Sequence, residues 1–335
     1  MQTLHDIRAA RPSFYPDQSI YAEYACQTLG LDFAEIDAGT GLVFIVSSPG
    51  KTVCFGAGRC SFFPQNNATA ATLANDKYFS NVVLEKSGVA TLGGRYFFLH
   101  DRYRAHRAPG HERADALSYF RNLDGSAFVK PLTGSRGDFA QPITGADSLS
   151  TYLDEVSRYY DAVLMQPIFS GQEYRIFLLD DDVIYSARKT PPSLLGDGIH
   201  SIRALLAADD AALHSHGISS ATASTVADAL DRVLPKGERW AIPGRMNRSA
   251  GGTMSFESPN DKQAAFAMAK RAAKALGLRA AAVDVFTDIG GDPAAMRVIE
   301  VNANPSIRFL EDSGRSDLIL KIWRHTFSAI GLLDV

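Results

Sequence analysis

The stretch that decides the fold is Val298-Ile-Glu-Val-Asn-Ala-Asn-Pro305, close to the end of the 335-residue chain. Its apolar and polar residues alternate, which predicts a β-strand. Glu300 and Asn302 are two positions apart, so their side chains share one face of that strand. A second apolar strand, Ala280-Ala-Ala-Val283, leads directly into Asp284. Carboxylate and amide oxygens are typical Mg²⁺ ligands, so Asp284, Glu300 and Asn302 are predicted to form a metal site. Because charged residues are mostly exposed, a solvated polar sheet face is the alternative.

Length, composition and charge limit the classes of protein to consider. Apolar residues make up 46% of the chain and charged residues 21%, with a formal net charge of -3. These values are ordinary for a globular protein of two or three structural units, and they provide no positive field for nucleic acid or an anionic membrane. No apolar run approaches the ~20 residues of a membrane span, and Met1 to Ser13 does not resemble a signal peptide. The three cysteines lack a CxxC spacing, so we expect reduced thiols in a cytoplasmic protein.

The predicted elements favour an α+β architecture. The runs Glu173–Leu179 and Val183–Lys189 predict an antiparallel pair of strands joined by three aspartates. One long helix is predicted from Ala68 to Ser87, and Gly88 would end it. Hairpin strands in the middle of the chain favour separate α+β units over one doubly wound sheet. The predicted division is an N-terminal α/β domain (1–70), a central subdomain (71–165) and a C-terminal subdomain with the metal site (166–335).

Two lysines are predicted to bind phosphate. Lys130 ends a strand and precedes a glycine-containing turn, in which small residues let backbone N–H groups approach phosphate oxygens. Lys77 follows Asn75-Asp76 inside the predicted long helix. Taken singly, each has an ordinary alternative, a solvated helix lysine or a common loop. A Walker A loop and a GxGxxG fingerprint are both missing from the sequence, which argues against those two modes of nucleotide binding. The turn contributes Gly134, Ser135 and Gly137 to the predicted phosphate site.

The segment from Leu164 to Arg175 predicts a strand, a short linker and a second strand. Backbone groups from Gln166 to Ile168 are placed to contact the adenine edge of a nucleotide. Glu173 is placed to accept hydrogen bonds from the ribose hydroxyls. A plain turn that carries one exposed glutamate is the alternative.

Together, in this order, the segments resemble the ATP-grasp superfamily. The two lysines, the glycine turn, the linker after Leu164 and the acidic cluster match its nucleotide and metal segments. Two further loops, Ala187–Ile202 and Arg245–Thr253, are similar to loops of cyanophycin synthetases and fused bacterial glutathione synthetases. The resemblance covers roughly residues 50 to 310. It implies an ATP-grasp fold, in which two α+β subdomains grip ATP behind a small N-terminal domain.

The resemblance also implies an activity. Such enzymes join a carboxylate to an amine of amino acids or peptides through an acyl phosphate, and they use ATP with two Mg²⁺ ions, Mn²⁺ being the alternative ion. Gln166 stands where many relatives have glutamate, and the ending Asn304-Pro-Ser-Ile-Arg308 departs from their Ala-x-Pro-Gly form. The chemistry is therefore transferred and the substrates are left open. The implied catalytic residues are Arg245 and Asn247, and the implied substrate residues are Arg188, Gly251, Gly252 and Arg308.

Two other functions stay open on the sequence alone. One is a kinase on the same scaffold, which would release a stable phosphorylated product. The other is a nucleotide-binding module without catalysis. Partners are expected to be small amino-acid or peptide substrates, without nucleic acid or membrane, and a homodimer or homotetramer is compatible with the resemblance.

Overall fold

A computed structural model describes residues 2–56, 62–134, 137–215, 229–242 and 251–334, with the backbone alone at 209–215. The helices are α1 (Leu4–Ala9), α2 (Asp17–Leu29), α3 (Ala68–Asn75), α4 (Lys77–Lys86), α5 (Arg113–Asn122), α6 (Ala146–Val156), α7 (Ile202–Ser215), α8 (Lys262–Leu276), α9 (Arg308–Asp312) and α10 (Ser316–Ala329), with a 3₁₀ turn at Arg104–His106. The strands are β1 (Asp32–Glu35), β2 (Val43–Ser48), β3 (Lys51–Gly56), β4 (Arg95–Phe98), β5 (Ser126–Pro131), β6 (Gln141–Thr144), β7 (Ala162–Gln166), β8 (Gln172–Leu179), β9 (Asp182–Thr190), β10 (Ser193–Leu195), β11 (Arg239–Ala241), β12 (Thr253–Ser255), β13 (Ala280–Thr287) and β14 (Arg297–Asn302).

The sheets are antiparallel, which confirms the predicted α+β class. In the described part of the chain the strand orders are β1-β2-β3, β4-β7-β5-β6, β12-β9-β8-β13-β14 and β10-β11. Each pairing between these strands runs antiparallel, as hairpins and short connections allow. Across the described ranges, none of the helices combines the length and apolar composition that crossing a bilayer requires.

The predicted single helix from Ala68 to Ser87 is wrong in one respect. The structure breaks it at Asp76, whose backbone is extended (φ -95°, ψ 107°). The Asp76 carboxylate accepts hydrogen bonds from the backbone N–H groups of Tyr78 and Phe79 and so caps α4. An aspartate prefers a cap position to a helix interior, because its side chain competes for nearby backbone donors. The break places Lys77 at the first residue of α4.

The central sheet, β4-β7-β5-β6, has one apolar face and one polar face. Helices α5 and α6 cover the apolar face, with Phe97, Phe120 and Leu153 in its core. Lys130 on β5 lies opposite Leu164 on β7 in the strand register. Because side chains alternate along a strand, Lys130 emerges on the face away from the core formed with α5 and α6.

The five-stranded sheet separates two apolar cores. Ile176 and Val283 point to one face, which packs on α3, α4 and α8. On the other face, Phe177 and Ala280 belong to a core that also contains α1, α2 and α10, including the fully buried Trp323. The remainder of that second face carries charged side chains instead of apolar ones. A single sheet face is therefore apolar at one end and charged at the other.

Asn66 joins the segment before α3 to this sheet. Its side-chain N–H groups donate to the carbonyl oxygens of Ala280 (2.8 Å) and Ala303 (3.1 Å). Its side-chain oxygen accepts from the backbone N–H groups of Arg279 (2.8 Å) and Ala280 (3.0 Å). The buried amide thus uses four hydrogen bonds to fix the start of β13 and the residue just after β14.

A small unit is inserted between β9 and β12, two neighbouring strands of the five-stranded sheet. Thr190 and Thr253 pair across these strands, so the chain leaves and re-enters the sheet at adjacent positions. The described parts of the insertion contain β10, β11 and α7, and they form a core of their own. That core contains Leu194, Ile202, Leu206, Leu230, Leu234 and Ile242.

Candidate active site

Lys130, on strand β5 of the central sheet, is a buried cation. It is 5% exposed. Burial lowers the pKa of its ammonium group to about 8, even though the nearby Glu300 carboxylate acts in the opposite direction. Within the described ranges, its ammonium donates a hydrogen bond to none of the side chains or carbonyl groups. A buried cation that lacks an anion or acceptor from the protein is costly, and an anionic ligand would relieve that cost.

Lys77 lies beside the loop that follows β5. Its ammonium donates to the carbonyl oxygen of Gly134 (2.9 Å), and its backbone N–H donates to that of Leu132 (3.4 Å). Burial lowers the pKa of Lys77, while Glu300 and Asp76 oppose the change. The structure therefore brings together Lys77 and the glycine turn, which are far apart in the sequence.

The turn itself is partly described. Gly134 has a backbone φ of +150°, and a Cβ atom there would lie 3.3 Å from the Tyr160 ring. Gly137 has a φ of +73°, a conformation that favours glycine. Ser135 lies outside the described residues.

Gln166 ends β7 in a fully buried position, at 1% exposure. Its side-chain N–H group donates to the carbonyl oxygen of Gly93 (2.7 Å). A Cβ atom at Gly94 would lie 2.5 Å from the carbonyl oxygen of Met165, so residue 94 can pack this closely on β7 only as glycine. Ile168, in the connection to β8, is 46% exposed and available for contact.

Four charged side chains form a network at the charged end of the five-stranded sheet. Asp284 on β13 is fully buried and accepts two hydrogen bonds from Arg175 on β8, each 2.8 Å long. The Lys189 ammonium on β9 lies 3.3 Å from the same carboxylate and also pairs with Glu173 on β8. Residues Glu173 and Lys189 face each other in the strand register, as do Arg175 and Asp284. The network follows directly from this register.

The pKa shifts in the network follow from burial and from charge. Burial would raise the pKa of Asp284, but Arg175 and Lys189 outweigh it and hold that pKa well below its usual range. Burial raises the pKa of Glu173, and Lys189 offsets only part of the change. Asp284 is therefore an anion with two cationic partners, whereas Glu173 depends on Lys189 alone among the cations paired with it in the described residues.

Arg175 and Lys189 were not predicted as site residues from the sequence. A signal was present, because both are charged residues inside the predicted strands Glu173–Leu179 and Val183–Lys189. Alternation places Arg175 on the face of Glu173, and Lys189 lies on the same face because it pairs directly with Glu173. Charged groups are almost never buried without partners, so these positions could have been predicted as part of the site.

Glu300 and Asn302 share one face of β14, as predicted. The Asn302 side-chain N–H donates to Glu300 Oε1 (3.1 Å), which leaves the Asn302 side-chain oxygen and Glu300 Oε2 without a donor in the described residues. Glu300 lies directly opposite Asp284 in the strand register. No group of three His, Cys, Asp or Glu side chains is preassembled for a metal within the described ranges. A carboxylate and an amide with free oxygens fit Mg²⁺, which completes its shell with water and phosphate.

The remaining predicted residues lie elsewhere or outside the described residues. Arg188 occupies the opposite face of β9 from Lys189, with its guanidinium 3.6 Å from the Glu257 carboxylate. Arg308 forms ion pairs with Asp17 and Asp312, both at 3.1 Å. Gly251 and Gly252 directly precede β12, at the same end of the sheet as Lys189. Arg245 and Asn247 lie outside the described residues.

The chain is similar in sequence to several known proteins. No family profile matches the sequence. The glutathione biosynthesis bifunctional protein of Desulfotalea psychrophila is 23% identical over 307 residues, which cover 83% of this chain and 36% of that protein. The cyanophycin synthetase of Synechocystis sp. is 23% identical over 229 residues, or 58% of this chain and 26% of that protein. The chain thus spans about a third or less of these two relatives, and the resemblance stated from the residues is confirmed.

Solved structures show the same relationship at the level of the fold. The bifunctional glutathione synthetase of Pasteurella multocida matches with a TM-score of 0.50 and 16% identity, over 92% of this chain and 44% of that one. The D-alanine–D-alanine ligase of Bacillus anthracis matches with a TM-score of 0.50 and 14% identity, over 79% of this chain and 72% of that one. The chain has the ATP-grasp fold.

Proposed function

We propose that this protein is an ATP-dependent carboxylate–amine ligase that forms an amide or peptide bond and releases ADP and phosphate. The observation that carries the proposal is the Lys130 ammonium, which is buried and has no acceptor among the described residues. The charges of Glu300, Lys77 and Glu173 all affect the pKa of Lys130, so this lysine lies close to the other charged side chains of the candidate site. A triphosphate would supply the anion that this position lacks.

The nucleotide would be held by residues from both sheets. Lys77, Lys130 and the turn at Gly134, Ser135 and Gly137 would hold the phosphates, because cations and backbone N–H groups neutralise them. Gln166 and Ile168 would contact adenine, and Glu173 would accept from the ribose hydroxyls.

Asp284, Glu300 and Asn302 would hold the metal, with Glu300 and Asn302 contributing free oxygens. We propose two Mg²⁺ ions, with Mn²⁺ as a substitute. When bound, the metal neutralises charge on the phosphates. The residues of this chain would fix the ligand oxygens, and Arg175, which donates to both oxygens of Asp284, holds that carboxylate in place.

The reaction balances in two steps. A substrate carboxylate oxygen attacks the γ-phosphorus of ATP, the bond to the β–γ bridging oxygen breaks, and ADP leaves from an acyl phosphate. The amine then attacks the acyl carbon, the C–O bond to phosphate breaks, and the amine loses a proton. Arg245 and Asn247 are proposed to stabilise the charge on oxygen in the tetrahedral intermediate, as donors preorganised for an oxyanion do. Gly251, Gly252, Arg188 and Arg308 are proposed to contact the substrates.

The substrates are proposed to be amino acids or peptides. The name of the Bacillus anthracis protein states that it joins two D-alanines, and the other relatives are named for glutathione and cyanophycin. We propose that the reaction takes place in the cytoplasm, on small molecules and not on nucleic acid or membranes, in a protein that can form homo-oligomers.

One assay tests the proposal. The protein is incubated with Mg-ATP and single or paired amino acids and dipeptides, while ADP, phosphate and products are followed together by mass spectrometry. A conjugate lighter than its parts by one water, formed with equal ADP and phosphate, supports the ligase. ADP with a phosphorylated small molecule would establish the kinase instead, and nucleotide binding without turnover across the panel would favour the non-catalytic module.

Two variants connect the assay to the site. Lys130→Met and Glu300→Gln are expected to reduce turnover by at least about 100-fold, since removal of one charge-stabilising group commonly costs ~3 kcal/mol. Lys321→Met, a change at an exposed lysine of α10, is the matched control and should leave turnover unchanged.

A further inference from the structure

Lys189 makes contacts that the proposed function does not use. Its side chain is 4% exposed, and its ammonium lies between the carboxylates of Glu173 and Asp284. The proposed function gives these two carboxylates different tasks, contact with the ribose and contact with the metal. One lysine therefore touches both halves of the nucleotide site.

The two carboxylates differ in how much they need Lys189. Asp284 has a partner in Arg175 that occupies both of its oxygens, so its orientation does not depend on the lysine. Glu173 is 5% exposed and receives a hydrogen bond from Lys189 at Oε1. Its other oxygen, Oε2, accepts from none of the described side chains. Lys189 therefore determines which oxygen of Glu173 is engaged by the protein and which is left open.

We propose that Lys189 is a positioning residue, which holds Oε1 of Glu173 so that Oε2 is presented to the ribose hydroxyls of the nucleotide. Its second contact, with Asp284, ties this orientation to the strand that carries the metal site. The inference rests on the proposed nucleotide site, and it adds a residue whose effect is specific to the ribose. A lysine that only neutralised buried charge would affect all nucleotides equally.

The test compares two ligands by isothermal titration calorimetry in the presence of Mg²⁺. Binding of ADP and of 2′,3′-dideoxy-ADP is measured for the wild-type protein, Lys189→Met, Lys189→Arg and Glu173→Gln, with Lys321→Met as the exposed-lysine control. The ribose hydroxyls of ADP would donate to the charged Glu173 carboxylate, and the dideoxy ligand lacks them. The wild-type protein should therefore bind ADP at least about tenfold more tightly than the dideoxy ligand. We expect the ratio to fall below about threefold in Lys189→Met and in Glu173→Gln, and the double variant to fall no further. Lys189→Arg retains the charge and should restore most of the ratio.

A second readout separates positioning from general damage. Lys189 is a cation next to Asp284, so its removal should leave Mn²⁺ binding to the ADP complex unchanged or tighter, as measured by electron paramagnetic resonance. A variant that had merely lost structure would bind both Mn²⁺ and nucleotide more weakly. If Lys189→Met does not fold, Lys189→Gln is measured in the same way, because its shorter neutral side chain also withdraws the ammonium from Oε1.

The outcomes are distinct. A wild-type ratio of tenfold that persists in Lys189→Met or Lys189→Gln overturns the role of Lys189 and leaves the nucleotide site intact. Equal affinity of the wild-type protein for the two ligands also overturns it. Failure of the wild-type protein to bind ADP at all contradicts the proposed function itself.

Discussion

Replacing Lys130 with methionine should make the ligand-free protein more stable while it removes nucleotide binding. The lysine is 5% exposed, and burial lowers the pKa of its ammonium from 10.5 to about 8. Such a lowering corresponds to about 3 kcal/mol of unfavourable free energy for the charged group in the folded state. Methionine has a similar length and no charge, so the variant avoids this cost.

The sign of the pH dependence follows from the two pKa values. Below about pH 8, the ammonium is charged in both the folded and the unfolded chain, and the folded protein bears the full cost. Between about pH 8 and 10.5, the unfolded chain binds more protons than the folded protein, so the stability of the wild-type protein rises with pH. The advantage of Lys130→Met should therefore be about 3 kcal/mol at pH 7 and should disappear towards pH 10.5.

Urea unfolding of both proteins at pH 7, 8, 9 and 10, followed by far-UV circular dichroism, measures this difference. Addition of Mg-ADP at 1,000 times its Kd should reverse the order, because it then stabilises the protein that binds it by about 4.1 kcal/mol. Lys321→Met controls for the loss of an exposed positive charge. The reasoning is refuted if Lys130→Met is less stable than the wild-type protein at pH 7, or if the difference between them is independent of pH.

Three further predictions concern stability. Arg175→Met leaves the Asp284 carboxylate buried with half of its partners, so the free energy of unfolding should fall by about 3–5 kcal/mol in urea titrations; a loss below about 1 kcal/mol would contradict the role of this pair. Gly94→Ala should lower the melting temperature by much more than Gly125→Ala. The added Cβ would lie 2.5 Å from a carbonyl oxygen at residue 94, whereas it would meet nothing within 4 Å at residue 125. Equal shifts of the melting temperature in calorimetry would be evidence against the close packing at Gly94. Asn66→Leu removes four hydrogen bonds from a buried position and should lower the free energy of unfolding by on the order of 3 kcal/mol. An unchanged free energy of unfolding in urea titrations would mean that water replaces these hydrogen bonds.

Much of the candidate site could be predicted because its residues follow local rules. Glu300 and Asn302 share a face simply because they are two positions apart in a strand. Lys130 was identifiable from its position at a strand end, before a glycine turn. Such relations depend only on the period of the strand and on turn chemistry.

Other parts of the site depend on contacts between distant segments, which no local pattern encodes. Arg175 and Asp284 are 109 positions apart and meet only because β8 and β13 are neighbours in one register. Asp76 interrupts the helix that was predicted to be continuous from Ala68 to Ser87. The preference of this one aspartate for a cap position outweighs the helix propensity of the residues around it. The helix α7 packs in an insertion core whose residues come from several separate stretches of the chain, so no single stretch reveals it.

The pairing of Thr190 with Thr253 has a consequence for how this chain can vary. Because both ends of the insertion are held side by side by a sheet that is complete without it, the segment behaves as an oversized hairpin turn. Outside the proposed catalytic and substrate stretch Arg245–Gly252, its length and sequence can vary, or be exchanged for those of another protein, without altering the register that aligns Lys189 with Glu173. A chain in which a short turn joins these two threonines should keep the far-UV circular dichroism of the remaining sheets. Evolution could thus revise whatever the insertion contacts while the nucleotide site stays constant.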